Sequence, residues 1–418
     1  MADGLLIVNC GELVTMSELG DGPQRGPLSD LETLQDAAVW CADGLIRDIG
    51  RRDDVMRGLP NNVDPELLDA GGACVIPGLV DPHSHRVYLG SREDEFEMRV
   101  AGIPYPEIAR RGGGIIRTVA ETRRGTFDDL LRAVLGRLDR ALASGTTTTE
   151  VKTGYGLTME SELLALDVLA AADRAHVVDL VMTFLPAHAV PSEFASNPDA
   201  YVDLIVEEMI PRAVGRARYV DVFCEQGYFT PDQARRVLAA AEAHGFGRRI
   251  HADEFSDLGG ATIAAELRCA SADHLCWSAE SGLRAMAAAG VVAVVLPGSR
   301  FFLLADRYAN ARRMIELGVP IALGTDHSPT GATESMLFVI ALACAELRMT
   351  PSEALVASTR NAAFSIGLGA HIGTLAKGRD ADLVILDVPT YRQIPYYVGR
   401  DIVRAVVKKG APAWRRAA

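Results

Sequence analysis

The chain holds nine histidines in 418 residues, and two of them stand one residue apart at the end of an apolar run, in VIPGLVDPHSHRVYLGSR from Val75 to Arg92. Residues i and i+2 of a strand point to the same side. His83 and His85 can therefore face one ion while Ser84 turns away. A nitrogen from His251 and a carboxylate oxygen from Asp326 would complete a four-ligand set. Imidazole with carboxylate suits zinc or iron better than magnesium or calcium, which prefer oxygen-only shells. At an open position such an ion lowers the pKa of water to roughly 7. An H-x-H pair alone is a weak signal; the weight comes from where all four residues fall.

Eight strand-like runs alternate with helical patterns through the middle of the chain: IPGLVDPHSH, TTTTEVKTGY, VDLVMTFLPAH, RYVDVFCEQ, RRIHADE, CASADHL, VVAVVLPGS and VPIALGTDH. Continuous runs bounded by turns suit strands covered on both faces. The intervening helices carry start signals. Thr126-Phe127-Asp128-Asp129 has capping-box spacing, followed by Leu131, Val134, Leu135, Leu138 and Leu142 at helical intervals. Thr230-Pro231-Asp232-Gln233 is a second cap, with proline at the first helical position and Gly245 as a stop. Eight such units predict an α/β fold, a (β/α)8 barrel. The short strands at both ends, such as LLIVNCGELVTM and GRDADLVILDV, predict a small β-sandwich domain built from both termini. The expected boundaries are 1–75 and 369–418 for the two parts of that domain, and 76–368 for the barrel.

Barrel active sites form at the C-terminal ends of the strands. His83 and His85 end the first run, His188 the third, His251 and Glu254 the fifth, Asp273 and His274 the sixth, and Asp326 and His327 the eighth. His176 and His244 lie near helix ends and His371 lies beyond the barrel, so none of the three is assigned chemistry. The glycines of RRGGGIIRT, Gly112 to Gly114, read as a loop, since no P-loop Lys-Ser/Thr follows.

Net charge is −13 and no basic stripe appears, which argues against a nucleic-acid partner. The seven cysteines are scattered, without a C-x-x-C, as in a reduced compartment. The N-terminus lacks a basic region and a long apolar run, and no later stretch reaches membrane-span length. A soluble cytoplasmic protein is expected.

These motifs resemble the amidohydrolase superfamily and, within it, the imidazolonepropionase family. The resemblance covers nearly the whole chain. It rests on PGLVDPHSH, GSREDEFEMRVAGIPYPEI, GGGIIRTVAETR, TTTTEVKTGYGL, LPAHAVPSEF, DVFCEQGYFT, IHADEF, SADHL and GTDHSPT. It implies one zinc or iron ion per subunit on His83, His85, His251 and Asp326, a small-molecule substrate with a carboxylate tail, and a homodimer. It implies hydrolytic opening of 4-imidazolone-5-propanoate to N-formimidoyl-L-glutamate, a step of histidine degradation. Catalytic roles fall to Asp326 as general base, Glu254 as proton donor to the leaving nitrogen and His274 as oxyanion stabiliser.

Arg92, Tyr105, Tyr155 and His188 stand where the family has substrate contacts. A propionate tail wants a guanidinium fork and phenol donors, although Arg92 within SREDEFEMR also suits a surface salt bridge and the tyrosines suit core-edge packing. Ser328, Thr330 and Gly331 occupy the loop after Asp326, where the family usually carries Asn and Gly in place of Ser328 and Thr330. Strand four ends Phe223-Cys224-Glu225, without the lysine that holds a second metal in some superfamily members, and Lys152 on the second strand reads as structural or as support to the ligands. The alternatives are heterocycle deamination on the same metal site and a non-catalytic barrel relative. An acidic-tail pocket separates the first from ring opening, and the intact ligand set argues against the second.

Overall fold

The computed structural model describes residues 4–417. The eight expected runs are eight parallel strands, numbered here for the barrel alone: β1 (Leu79–Asp81), β2 (Thr146–Lys152), β3 (Asp179–Ala187), β4 (Tyr219–Cys224), β5 (Gly247–Ala252), β6 (Ser271–His274), β7 (Val292–Val295) and β8 (Ile321–Leu323). They pair in chain order from β1 to β8. The ring closes just beyond the ends of β1 and β8. There Ser84 bridges His327, the His85 N–H donates to the His327 carbonyl at 2.8 Å, and the Asp326 N–H donates to the His83 carbonyl at 3.0 Å. The closure therefore pins three rim residues by their own backbone.

Not every strand is apolar. All seven residues of β2, TTTTEVK, are buried. Threonine serves there because its branched Cβ suits a strand and its hydroxyl finds partners inside, as Thr149 Oγ1 does with Ser84 Oγ at 3.2 Å. Between β1 and β2 the helix Phe127–Ala143 is held by its expected capping box, with Thr126 Oγ1 accepting from the Asp129 N–H at 3.2 Å. Its buried stripe is Leu130, Val134, Leu138 and Leu142, with Leu131 and Leu135 only partly covered. The Thr230–Gln233 box starts the helix Pro231–Ala243 in the same way. Each cap contributes about 1 kcal/mol and fixes where a helix turns back toward the next strand. His176 and His244 are the residues that end their helices, as expected.

The second sheet joins the two termini. Its hydrogen-bonded path runs Ala411–Arg415, Val403–Lys408, Leu383–Leu386, Cys74–Pro77, Leu5–Val14, Thr33–Ala42 and Leu45–Arg51, with Glu66–Asp69 parallel to Leu5–Val14. The sheet curls back on itself. The Ile46 N–H reaches the Arg379 carbonyl at 2.8 Å and the Ala381 N–H reaches Gly44 at 2.9 Å. Leu5, Ile7, Val39, Val75, Ile385 and Val407 meet in one enclosed core. The chain leaves this sheet after Pro77 and enters the barrel at Leu79, so the strand that carries the H-x-H pair is anchored in both sheets. Gly78 makes the crossing: a Cβ there would lie 2.3 Å from Thr147 Oγ1. Among the described residues no helix is long and apolar enough to cross a membrane.

Candidate metal centre and active site

The four expected ligands converge. His83 Nε2 lies 3.3 Å from His85 Nε2, which lies 3.4 Å from His251 Nε2. Asp326 Oδ1 is 3.5 Å from both His83 Nε2 and His85 Nε2. All three imidazoles are buried. Ser84 faces away, donating to the Glu150 carbonyl at 2.7 Å.

The other ring nitrogens decide what these atoms are. His83 Nδ1 sits 2.6 Å from Asp273 Oδ2, and His251 Nδ1 sits 3.1 Å from Asp221 Oδ2. A carboxylate accepts only, so each Nδ1 carries the proton and each Nε2 presents a lone pair. Burial, with Lys152 and neighbouring imidazoles adding to it, holds His83 and His85 well below the usual histidine range. Unprotonated lone pairs packed this closely beside a carboxylate repel one another unless a cation lies among them. The donor set therefore fits zinc or iron. His83, His251 and His274 form a second potential ligand trio, which puts His274 at the edge of the same centre.

Beneath the ligands lies a charged layer that is entirely buried: Glu150, Lys152, Asp221, Arg249 and Asp273. Lys152 Nζ reaches Asp221 Oδ2 at 2.8 Å and Glu150 Oε1 at 2.9 Å. Arg249 Nη2 reaches the Pro82 carbonyl at 2.8 Å and Asp273 Oδ2 at 3.2 Å. Burial opposes ionisation of Asp273, but Arg249 and Lys152 outweigh it and hold the carboxyl below its ordinary range. Lys152, read from sequence as structural or supporting, is the cation at the middle of this layer. Arg249, Asp221 and Glu150 escaped the sequence reading. For Arg249 the signal is a period of two: it precedes His251 by two residues on β5, so it lies one layer below that ligand on the same strand face. Asp273 was grouped with His274 at the rim. Neighbours on a regular strand cannot both point inward, and the structure sends Asp273 down to His83. His274 turns into the cavity through a left-handed backbone, φ +76°. Asp326 adopts φ +49°; such conformations in non-glycine residues collect at functional sites.

Above the centre is a cavity of about 50 Å³. His85, His251, His274, Glu254 and Asp326 line it together with Arg92, Tyr105, Tyr155, His188, Ser328 and Thr330. Gly331 alone among the expected contacts does not face the cavity. It closes a tight turn with Ser328, its N–H 3.2 Å from the Ser328 carbonyl, and packs against the Phe302 ring. Phe223, Tyr228 and Ser299 line the cavity without having been singled out from sequence. Ser299 Oγ hydrogen-bonds Asp326; burial nevertheless lifts the Asp326 carboxyl to about 6.

Three buried carboxylates, Glu162, Glu225 and Asp253, hold loops of the wall. Glu162 accepts from the N–H groups of Gly154 at 3.0 Å and of Gly156 and Leu157 at 2.8 Å, which fixes the turn bearing Tyr155. Gly154, at φ +110°, lets this turn press on His188, whose Nδ1 is 3.0 Å from the Gly154 carbonyl. Asp253 caps the next loop, accepting from Gly260 N–H at 2.8 Å and Ser278 Oγ at 2.7 Å. Glu225 accepts from the Phe255 N–H at 2.8 Å. Between these two clamps stands Glu254, its Oε1 3.6 Å from His274 Nδ1. Burial, then the Asp326 charge, raises the Glu254 carboxyl well above its ordinary range, which favours its protonated form.

Arg92 is 2% exposed and is not a surface ion pair. Its Nη2 donates to Thr330 Oγ1 at 2.5 Å, Nη1 is 3.7 Å from Glu95 Oε2, and Nε has no partner. Burial disfavours its charge, but Tyr105, Tyr155 and Glu95 outweigh that effect. The glycine loop does cradle an anion, and it is the chain's own: Glu95 Oε1 accepts from the Gly114 N–H at 2.9 Å.

The amidohydrolase family model matches residues 74–412. The chain is 48% identical to the imidazolonepropionase of Symbiobacterium thermophilum, over 97% of this chain and 96% of that one. It is 45% identical to the imidazolonepropionase of a Geobacillus species, over 97% of each. Among solved structures it resembles 5-methylcytosine deaminase from Klebsiella pneumoniae, with a TM-score of 0.73 at 19% identity, covering 99% of this chain and 98% of that one.

Proposed function

The chain belongs to the amidohydrolase family, and from that premise we propose that it hydrolyses 4-imidazolone-5-propanoate to N-formimidoyl-L-glutamate in histidine degradation. The observation that carries this reading is one cavity with two chemistries. Lone pairs for a metal and a buried guanidinium flanked by Tyr105 and Tyr155 line the same cavity. The five-membered ring goes to the first and the propionate tail to the second.

His83, His85, His251 and Asp326 would hold a zinc or iron ion, which would supply Lewis acidity to lower the pKa of water and polarise a carbonyl. Asp326 accepts the proton of the attacking water. The oxygen of that water bonds to the ring carbonyl carbon, and the bond from this carbon to the adjacent ring nitrogen breaks. His274, buried and unprotonated, donates a hydrogen bond to the oxyanion; a placed donor of this kind contributes about 3–4 kcal/mol. Glu254, whose protonated form burial favours, delivers its proton to the departing nitrogen. Arg92 forms an ion pair with the carboxylate tail, with the Tyr105 and Tyr155 hydroxyls as further donors, and Thr330, Ser328 and His188 complete the wall. The shorter Ser328 places a hydroxyl where the family's usual residue carries an amide.

The buried, unpaired cysteines fit a reducing cytoplasm, and we place the enzyme there as a homodimer with no nucleic-acid or membrane partner. The test is a turnover assay on the metal-loaded protein. Consumption of imidazolonepropionate with formimidoyl-glutamate produced and no ammonia supports the reading. Ammonia release from cytosine, adenine or guanine, with imidazolonepropionate untouched, replaces it with deamination.

A further inference from the structure

Two ligand histidines are oriented by carboxylates, and one ammonium contacts both of those carboxylates. Lys152 Nζ lies 2.8 Å from Asp221 Oδ2, the oxygen that faces His251 Nδ1, and 3.5 Å from Asp273 Oδ2, the oxygen that faces His83 Nδ1. Its third contact, Glu150 Oε1 at 2.9 Å, belongs to the same strand. All these groups are inaccessible to water. Resting on the metal reading above, we infer that Lys152 is a positioning residue that sets the affinity of the centre for its ion by holding Asp221 and Asp273 in place beneath two ligands on different strands.

The physical need is repulsion. Three carboxylates, Glu150, Asp221 and Asp273, converge inside the barrel with two cations, Lys152 and Arg249, between them. Arg249 touches Asp273 and Glu150 but makes no contact within 4 Å of Asp221. Among the described residues Lys152 is therefore the one lysine or arginine in direct ion-pair contact with Asp221, and Arg249 acts on that carboxylate only from farther away. Lysine suits the position because a single ammonium presents three donors in three directions, one for each carboxylate. With the ammonium gone, the carboxylates swing apart and each imidazole loses the anchor that aims its Nε2. Groups supporting ligands in this way typically govern metal affinity by 10- to 100-fold.

Lys152→Met keeps length and volume and removes the charge; Lys152→Gln keeps one donor pair. The measurement is retention of zinc and, separately, of iron against a graded chelator, followed by elemental analysis, with circular dichroism confirming the fold. The expected result is at least tenfold weaker retention in Lys152→Met and a smaller loss in Lys152→Gln. In an Asp221→Asn/Asp273→Asn background, Lys152→Met should weaken retention by less than threefold further. Wild-type-like retention in folded Lys152→Met overturns the inference. So does failure of both single variants to fold, because the role would then be the fold's and not the site's. A wild-type chain that retains no ion would instead remove the metal reading itself, a separate outcome.

Discussion

Replacing Arg92 by Met should abolish recognition of the acidic tail while leaving the metal centre whole. A guanidinium and a carboxylate about 4 Å apart attract by about 4 kcal/mol at an effective dielectric near 20. Part of that charge is already spent: Glu95 Oε2 lies 3.7 Å from Nη1, and Nη2 is committed to Thr330. Allowing for this, the loss should be roughly 2–3 kcal/mol, or about 30- to 150-fold in kcat/KM at 1.4 kcal/mol per decade. The assay compares imidazolonepropionate with its propionamide analogue. Wild type should prefer the acid by about the same factor, and Arg92→Met should treat the two alike. Arg92→Lys keeps the charge and loses the fork, so it should fall between them. The variant leaves Glu95 with the Gly114 N–H at 2.9 Å and Arg117 at 3.8 Å, so the fold should survive, which a melting curve checks. If Arg92→Met still discriminates acid from amide by a hundredfold, the tail binds elsewhere and the argument from the buried guanidinium fails.

Glu254→Gln should retain the ion and lose turnover by about a hundredfold or more. Because burial raises the Glu254 carboxyl, the proton it donates is lost only as pH climbs through that raised value. Wild-type kcat should therefore decline on the alkaline side, and the residual rate of the Gln variant should lack that limb; identical pH profiles would remove Glu254 from proton transfer. Lys408→Met should cost about 3–5 kcal/mol of stability. Lys408 is nearly buried between Asp382 at 2.6 Å and Asp179 at 2.8 Å, tying the terminal sheet to the start of β3, and its loss strands the Asp382 charge. Denaturant unfolding should show a lower midpoint, while the metal content of the folded protein stays unchanged.

The sequence by itself determined the frame and the rim. Eight buried runs, the Thr126 and Thr230 caps and the β-rich ends specify a barrel with a terminal sheet, because apolar period and capping are local properties. The H-x-H spacing placed His83 and His85 on one side for the same reason. Tertiary structure decided the rest, since it depends on which strands lie across the barrel from one another. Nothing near Lys152 in the chain announces Asp221 or Asp273; they become its partners because β2, β4 and β6 enclose one interior. Left-handed residues at His274 and Asp326 overrule strand alternation and aim those side chains. Arg92, in a run of charges that reads as a solvated surface, is buried because the Thr330 loop, 238 residues on, folds over it. Burial, which no local pattern encodes, is also what pushes the Glu254 carboxyl up and the His83 and His85 imidazoles down.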